Sequence, residues 1–313
     1  MVTPYIYSMA QEWDDAVRRA DGGVFQFESR YMDYHRARFR DASLLVRDAR
    51  GKAVAAFPAV YADERAVVSH AGLTFGGLLH DPRAHAADVL AMLDDVCAFY
   101  QTKGCKRLIY KAVPYIYKEC GSETDLYWLH RNGARISARA LSSAVNLQAP
   151  LPLSLLRRRG VAKARRAGVL VSQSADYVGY WNVLVEVLRQ RHGVRPVHTL
   201  DEIRLLADRF HGRIRLHTAV GMGKLLAGAV VYADRGVAHA QYIASGDDGR
   251  TCGALDLLFA RLLDDYRAEG FRWFDFGIST DHSGASLNPG LLRQKEGFGA
   301  RTVVYDTYEV DLN

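Results

Sequence analysis

Residues 42–63 and 213–234 carry the same punctuation. Each is an apolar run, a Gly-Lys pair (Gly51-Lys52 and Gly223-Lys224), a second apolar run and the tetrapeptide Val-Tyr-Ala-Asp, which closes at Asp63 and Asp234. A glycine turn between two β-prone runs predicts a hairpin in each. A third apolar run follows, 66–72 in the first half and 237–245 in the second, and after it a glycine-bearing loop. Then Val89, Leu93, Val96, Cys97 and Tyr100 recur at helical spacing, as do Leu255, Leu258, Phe259, Leu262, Leu263 and Tyr266. That period gives a helix with one buried stripe. Gly104 and Gly270 stand where a left-handed cap would end each helix. Apolar strands at 107–113 and 271–278 complete the set. One order, βββαβ, with matched landmarks predicts a duplicated α+β unit in preference to two unrelated ones.

Residues 151–169 join the halves and hold six basic residues between Arg157 and Arg166. We expect a linker helix there, broken or bent near Gly160. Further amphipathic helices are expected at 177–190 and 200–210, the latter started by Thr199 or Asp201. A strand is expected at 301–312. The resulting division is an N-terminal domain over 1–150 and a C-terminal domain over 151–301.

The 313 residues suffice for two domains of ordinary size. No apolar run approaches the ~18 residues of a membrane span. The N-terminus lacks a basic segment followed by an apolar one, so a cytoplasmic location is expected. Cys97, Cys105, Cys120 and Cys252 form no C-x-x-C pair, and neither a metal site nor a disulfide framework is expected. Lysine and arginine number 41 against 35 acids, a net charge of +6. The excess suits an anionic partner: a nucleotide, CoA, a sugar phosphate or RNA. The basic run interleaves no aromatic residue for base stacking and reads equally as a solvated face. No DNA partner is expected.

The second half resembles the GNAT acyltransferases of the FemAB-like class. The resemblance runs through QYIASGDDGRTCGALDLLFARLL, FDFGIST and LLRQKEGFGAR, and more loosely through TFGGLLHD and KAVPYIYKECGSETDLYWLHRNGARISARALSS in the first half. It implies an α+β (mixed α/β) fold of tandem GNAT-like domains, each a mixed, mostly antiparallel sheet flanked by helices, with the C-terminal strand 302–313 returning to the first domain. One branch of this class uses aminoacyl-tRNA to extend peptidoglycan precursors. Another serves polysaccharide synthesis with acyl-CoA, and the KAVPYIY and LNPGLLRQKEGFGAR blocks resemble that branch.

The resemblance also assigns roles. GNAT enzymes hold the CoA pyrophosphate on an R/Q-x-x-G-x-G/A loop that opens a helix, where backbone amides point at the anion. Here Gly249, Arg250, Thr251, Cys252, Gly253 and Ala254 occupy that place, with the last small residue one position early. Tyr242 on the preceding strand is expected either to meet the acceptor or acyl oxygen, or to pack on the sheet. Lys295, before Gly-Phe-Gly, is expected to stabilise the oxyanion or meet the acceptor. Asp275 is a candidate general base or site wall, and Ser279 and His282 in the following loop are candidate cleft residues. Arg191 is a candidate for an acceptor phosphate or carboxylate, and His192 a candidate base. Gly76 and Gly77 are expected to admit a sugar or diphosphate closely.

These residues lead to an N-acyltransferase taking acetyl-CoA or another acyl-CoA and an amino-sugar or nucleotide-sugar acceptor, without a metal. The alternatives are a Fem-type transferase using aminoacyl-tRNA, for which the basic linker would contact tRNA, and a non-catalytic nucleotide-sugar binding protein.

Overall fold

The computed structural model describes residues 1–312, the side chain of His192 excepted. It divides into two units, one holding residues 1–141, 280–287 and 304–312, the other 142–279 and 288–303.

The first unit begins with β1 (Val2–Pro4), α1 (Ala10–Arg19) and α2 (Ser29–Met32), followed by β2 (Leu44–Arg47), β3 (Ala53–Phe57), β4 (Val60–Tyr61), β5 (Ala66–Val68) and β6 (Leu79–His80). After these come α3 (Ala86–Thr102), β7 (Arg107–Lys111), α4 (Thr124–Arg131) and β8 (Arg135–Asn146). Strands β1, β2, β3 and β6 form one antiparallel sheet. Strand β4 pairs with β5, and β5 runs parallel to β7. The buried stripe of α3, Val89, Leu93, Val96, Cys97 and Tyr100, packs into the unit's core with Phe57, Leu108 and Trp128.

The second unit runs through α5 (Leu155–Arg166), β9 (Leu170–Ser174), α6 (Tyr177–His192), α7 (Leu200–Arg209), β10 (Ile214–Gly221), β11 (Lys224–Asp234) and β12 (Val237–Ser245). Then follow α8 (Asp247–Cys252), α9 (Ala254–Ala268) and β13 (Trp273–Ile278). A short hairpin, β14 (Thr280–Asp281) and β15 (Ser286–Leu287), belongs to the first unit, α10 (Pro289–Glu296) to the second, and β16 (Arg301–Asp311) closes the described chain. The sheet order of the second unit is β9, β10, β11, β12, β13 and the end of β8. Its core lies between that sheet and α9, around Leu258, Phe259, Leu262, Phe274, Phe276 and Phe298. Thr199 caps α7 in a reciprocal box, accepting from the Glu202 amide while the Glu202 carboxylate accepts from its own.

The duplication extends to individual hydrogen bonds. The Lys106 and Arg107 amides both donate to the Arg65 carbonyl, at 2.6 and 3.1 Å, and those of Arg272 and Trp273 donate to the Gly236 carbonyl, at 2.7 and 3.0 Å. Cys105 closes α3 by donating to Tyr100, and Phe271 closes α9 by donating to Tyr266. Asp63 and Asp234 each stand three residues before the first residue of a strand that pairs in parallel with the strand after the helix. The outer neighbour of that last strand is exchanged. The end of β8 pairs with β13, and β16 pairs with β7.

Two expectations are corrected. The hairpin of residues 42–63 does not continue as one strand. Pro58 has no amide to donate and separates β3 from β4, which pair with different partners. Helix α5 is not broken at Gly160. That glycine lets the backbone meet α9: a Cβ there would lie 1.8 Å from an Asp256 carboxylate oxygen.

Burial sets the acid sensitivity of this core. His217, 7% exposed, has its Nε2 3.1 Å from the Tyr266 hydroxyl, and burial, aided by Arg215, pushes its pKa down to about 4. A histidine depressed when folded takes up its proton on unfolding, so stability is lost as pH falls from about 6.5 toward 4. The variant His217→Gln should therefore lose less stability than the parent between neutral pH and pH of about 4.5 in urea titrations.

Candidate active site

The parallel ladder between β12 and β13 holds three residue pairs, Val237 with Trp273, Ala238 with Phe274 and His239 with Asp275, and ends there. Both strands are irregular just beyond. Strand β12 has a bulge at Gln241, where Val230 faces Tyr242 but Val231 faces Ala240. Strand β13 slips between Asp275 and Ile278, with Gly277 at φ 76°. Such a positive φ costs glycine little. The strands part, and a cavity of about 370 Å³ opens beside the gap, walled by Ile243, Ala244 and Ser245 from β12, Phe276 from β13, and the start of α9.

The cavity is cationic. Arg157, Arg191, Arg250 and Lys295 all line it, against the single acid Asp256. Arg157 donates to Asp256 at 2.5 Å and lies over the Phe298 ring, so its charge is paired. Arg250 donates to the Ser245 carbonyl at 2.8 Å and pairs with Asp247. Its pKa is lowered, chiefly by desolvation and then by the charge of Arg191. Two guanidiniums lining one cavity suit an anionic ligand. Arg191 was expected on the acceptor side. The structure places it at the end of α6, in the same cavity as Arg250.

The loop residues divide by role. Gly249 lies so close to β11 that a Cβ would stand 2.1 Å from the Leu226 carbonyl oxygen, and Gly253, at φ 81°, stands against the Gly160 carbonyl. Cys252 and Ala254 face the core, 8% and 0% exposed, while Thr251 is exposed. What the loop offers a ligand is the N-terminus of the fifteen-residue α9 and the walls formed by Gly249, Arg250, Gly253 and Leu255.

Lys295 was expected to aim its ammonium at reacting atoms. It is 4% exposed, and its three donors go to the Gly277 carbonyl at 2.8 Å, the Ile278 carbonyl at 2.6 Å and the Ser279 hydroxyl at 2.9 Å. Burial lowers its pKa to about 8, with nearby Asp275 opposing. As placed, it ties α10 to the departing end of β13 and is a positioning residue. Ser279, 2% exposed, is an acceptor in this clip.

Tyr242 takes the packed alternative. Its hydroxyl is 2.6 Å from Nδ1 of His198 and accepts from the His198 amide at 3.2 Å, and its ring abuts Trp181. Asp275, fully buried, is an anchor: one carboxylate oxygen accepts from the Ser142 hydroxyl at 2.7 Å and the Gly277 amide at 3.0 Å. Its other oxygen holds Nδ1 of His239 at 2.8 Å. His239 is a residue that sequence reasoning missed. It sits at the last rung before the strands part, on the face opposite Ala238 and Ala240, which join the α9-side core. Its side chain is 15% exposed, and Nε2 keeps no protein partner among the described residues. A carboxylate at Nδ1 fixes the tautomer that leaves Nε2 able to take a proton.

Three candidates, His282, Gly76 and Gly77, do not line this cavity. The side chain of His192 lies outside the described residues. His282 is exposed, at φ 51°, in the turn of the β14–β15 hairpin of the first unit. Gly76 and Gly77 admit the chain itself. A Cβ on Gly76 would lie 2.2 Å from the Ser69 carbonyl oxygen, and one on Gly77 2.5 Å from the Tyr110 hydroxyl. Among the described residues there is no cluster of histidine, cysteine and acids able to hold a metal, and no helix long and apolar enough to cross a membrane.

Comparison with known proteins agrees with this geometry. A family model for the acetyltransferase (GNAT) domain matches residues 157–283. No curated protein matches the sequence. Among solved structures the fold is similar to that of FemX, with a TM-score of 0.68 and 13% identity over 98% of this chain and 96% of that one. It is also similar to the C-terminal domain of a putative lysylphosphatidylglycerol synthetase from Agrobacterium fabrum, with a TM-score of 0.62 and 14% identity over 98% and 92%. A tandem GNAT protein from the clavulanic acid biosynthesis pathway gives a TM-score of 0.51 and 14% identity over 100% and 98%. The chain carries a match to the GNAT acetyltransferase domain over residues 157–283, which contains the parted strands, within a fold similar to that of FemX along its whole length.

Proposed function

We propose that the protein transfers an acyl group, acetyl in the simplest case, from acyl-CoA to the amine of an amino sugar in a nucleotide-sugar or cell-surface polysaccharide precursor. The observation that supports a CoA donor best is the arginine-lined cavity, which opens beside the β12–β13 gap at the N-terminus of α9. A pyrophosphate would meet Arg191, Arg250 and the free amides of α9 there. The thioester would then lie along Ile243–Ser245, toward the gap. The acceptor class rests on the sequence resemblance to the polysaccharide branch. We place the reaction in the cytoplasm, where both substrates are made.

The chemistry needs a neutral amine. Its nitrogen lone pair attacks the thioester carbonyl, a C–N bond forms, and the carbonyl electrons move to oxygen. Collapse breaks the C–S bond, and the departing thiolate takes a proton to leave as CoA thiol. The proton lost from nitrogen goes to Nε2 of His239, Asp275 stabilises the resulting imidazolium, and the imidazolium gives that proton up to the thiolate.

A second reading keeps the fold and takes aminoacyl-tRNA as donor. One observation favours it: Arg158, Arg159, Lys163, Arg165 and Arg166 are exposed on α5, with no ion pair among the described residues. Phosphates would bind such a face in a salt-dependent way. Supplying acetyl-CoA with nucleotide amino sugars, and following free thiol, separates the two. Thiol release dependent on the amino sugar supports the first reading. Acceptor modification only with aminoacyl-tRNA, weakened by neutralising the α5 face, supports the second.

Four variants test the site. Arg191→Ala and Arg250→Ala should each raise the KM for acyl-CoA about tenfold or more with kcat nearly unchanged. His239→Gln should lower kcat by about 10²–10⁴ with the KM for acyl-CoA nearly unchanged. Lys295→Met strands buried acceptors and should cost about 2–5 kcal/mol of stability in urea denaturation. Parent-like stability with lost turnover would return Lys295 to the chemistry.

A further inference from the structure

The first unit contains a second cavity, of about 190 Å³, that the acyl-transfer site does not use. We propose that it is a binding site for a small organic ammonium, held among Tyr5, Trp13, Asp33, Asp41 and His70. Two of its lining residues carry a buried polar atom without a hydrogen-bond partner: the Tyr5 hydroxyl and Nδ1 of His70. Leaving such an atom unsatisfied costs about 1–3 kcal/mol, so a ligand that donates to both recovers that cost.

The loop holds His70 in place deliberately enough to carry strain. The residue is 2% exposed with φ 58°, in the left-handed region. Its carbonyl accepts from the Lys111 ammonium at 3.4 Å, and the Leu73 carbonyl accepts from the same group. Burial, with His35 and Lys111 adding to it, pushes the imidazole down to about 3, so it is neutral and offers an acceptor, not a competing charge.

The remaining chemistry selects a cation. Asp33 and Asp41 line the cavity, and Arg36 is the one lysine or arginine among its described lining residues. The Arg36 guanidinium lies 5.7 Å from the centre of the Tyr7 ring and is exposed. The Tyr5 hydroxyl is pushed up to about 12, first by burial and then by the charges of Asp33, Asp14 and Asp41, which marks a negative field at that oxygen. The Tyr5 and Trp13 rings, 4.9 Å apart, supply aromatic surface that attracts cations. Neutral imidazole, phenol oxygen and two carboxylates are acceptors that an ammonium can satisfy and a carboxylate cannot. At the ~30 Å³ share of a water molecule the space holds about six heavy atoms, the size of an alkylammonium. The site rests on the first unit alone and stands whether or not the acyl donor is CoA.

The test uses the whole chain and calorimetric titration with n-butylammonium chloride, n-butanol and sodium butyrate. The ammonium should bind saturably, at least about tenfold more tightly than the isosteric alcohol, and butyrate should not bind. Replacing both acids, Asp33→Asn with Asp41→Asn, should weaken the ammonium about tenfold while leaving butanol unchanged. Equal binding of alcohol and ammonium, preference for butyrate, or no saturable ammonium binding to the parent chain would overturn the proposal. Because the parent comparison decides by itself, a misfolded variant does not rescue it.

Discussion

The pairing of β12 with β13 lasts for three rungs, and the candidate site of the second unit follows from where it stops. Asp275 sits on the last rung. Its buried carboxylate takes the Gly277 amide and the Ser142 hydroxyl, which turns the chain out of the ladder. Lys295 then holds the freed Gly277 and Ile278 carbonyls from α10. A buried ammonium near a buried carboxylate is tolerable because every donor it owns is hydrogen-bonded. On the other strand the bulge at Gln241 carries β12 away. The gap is thus built from both sides, and His239 is held at its apex by the same carboxylate that shapes it.

Duplication supplied two copies of this framework, and they have diverged where a ligand would bind. In the second unit the residues after the third strand form α8 and the start of α9, with arginines around an open cavity. In the first unit the corresponding loop folds onto its own chain. Gly76 approaches Ser69, Gly77 approaches Tyr110, and the Tyr110 hydroxyl accepts from the Leu78 amide. That place is filled by protein, and the polar cavity of the first unit lies elsewhere, around Tyr5 and His70. Shared hydrogen bonds at Arg65 and Gly236 show how much of the framework both copies keep.

The repeated framework was legible because hairpin turns, helical stripes and capping glycines are local signals. Val89 to Tyr100 and Leu255 to Tyr266 each declare one buried face in their own spacing. The site was legible only in part, because its key contacts join distant residues or use main-chain atoms. His239 lies between two alanines on a strand and reads as packing. Its partner is 36 residues away, and only the parallel register brings them together. Lys295 stood out by motif, but its acceptors include two backbone carbonyls, which no side-chain pattern announces. Arg191 was expected just after a helix and lies in its last turn, while the wall it joins depends on how α6 packs against β11 and β12. Gly160 looked like a helix breaker because its value lies in what it lets approach, and that is a property of α9.

The central claim is that the donor's anionic part sits at the start of α9 and its acyl end reaches the β12–β13 gap. Titrating isotopically labelled protein with acetyl-CoA and following backbone amide shifts tests this directly. The account predicts saturable shifts at Ala254 and Leu255, continuing through Ile243, Ala244 and Ser245 to His239. Saturable binding that leaves these amides unmoved and shifts residues of the first unit would contradict it.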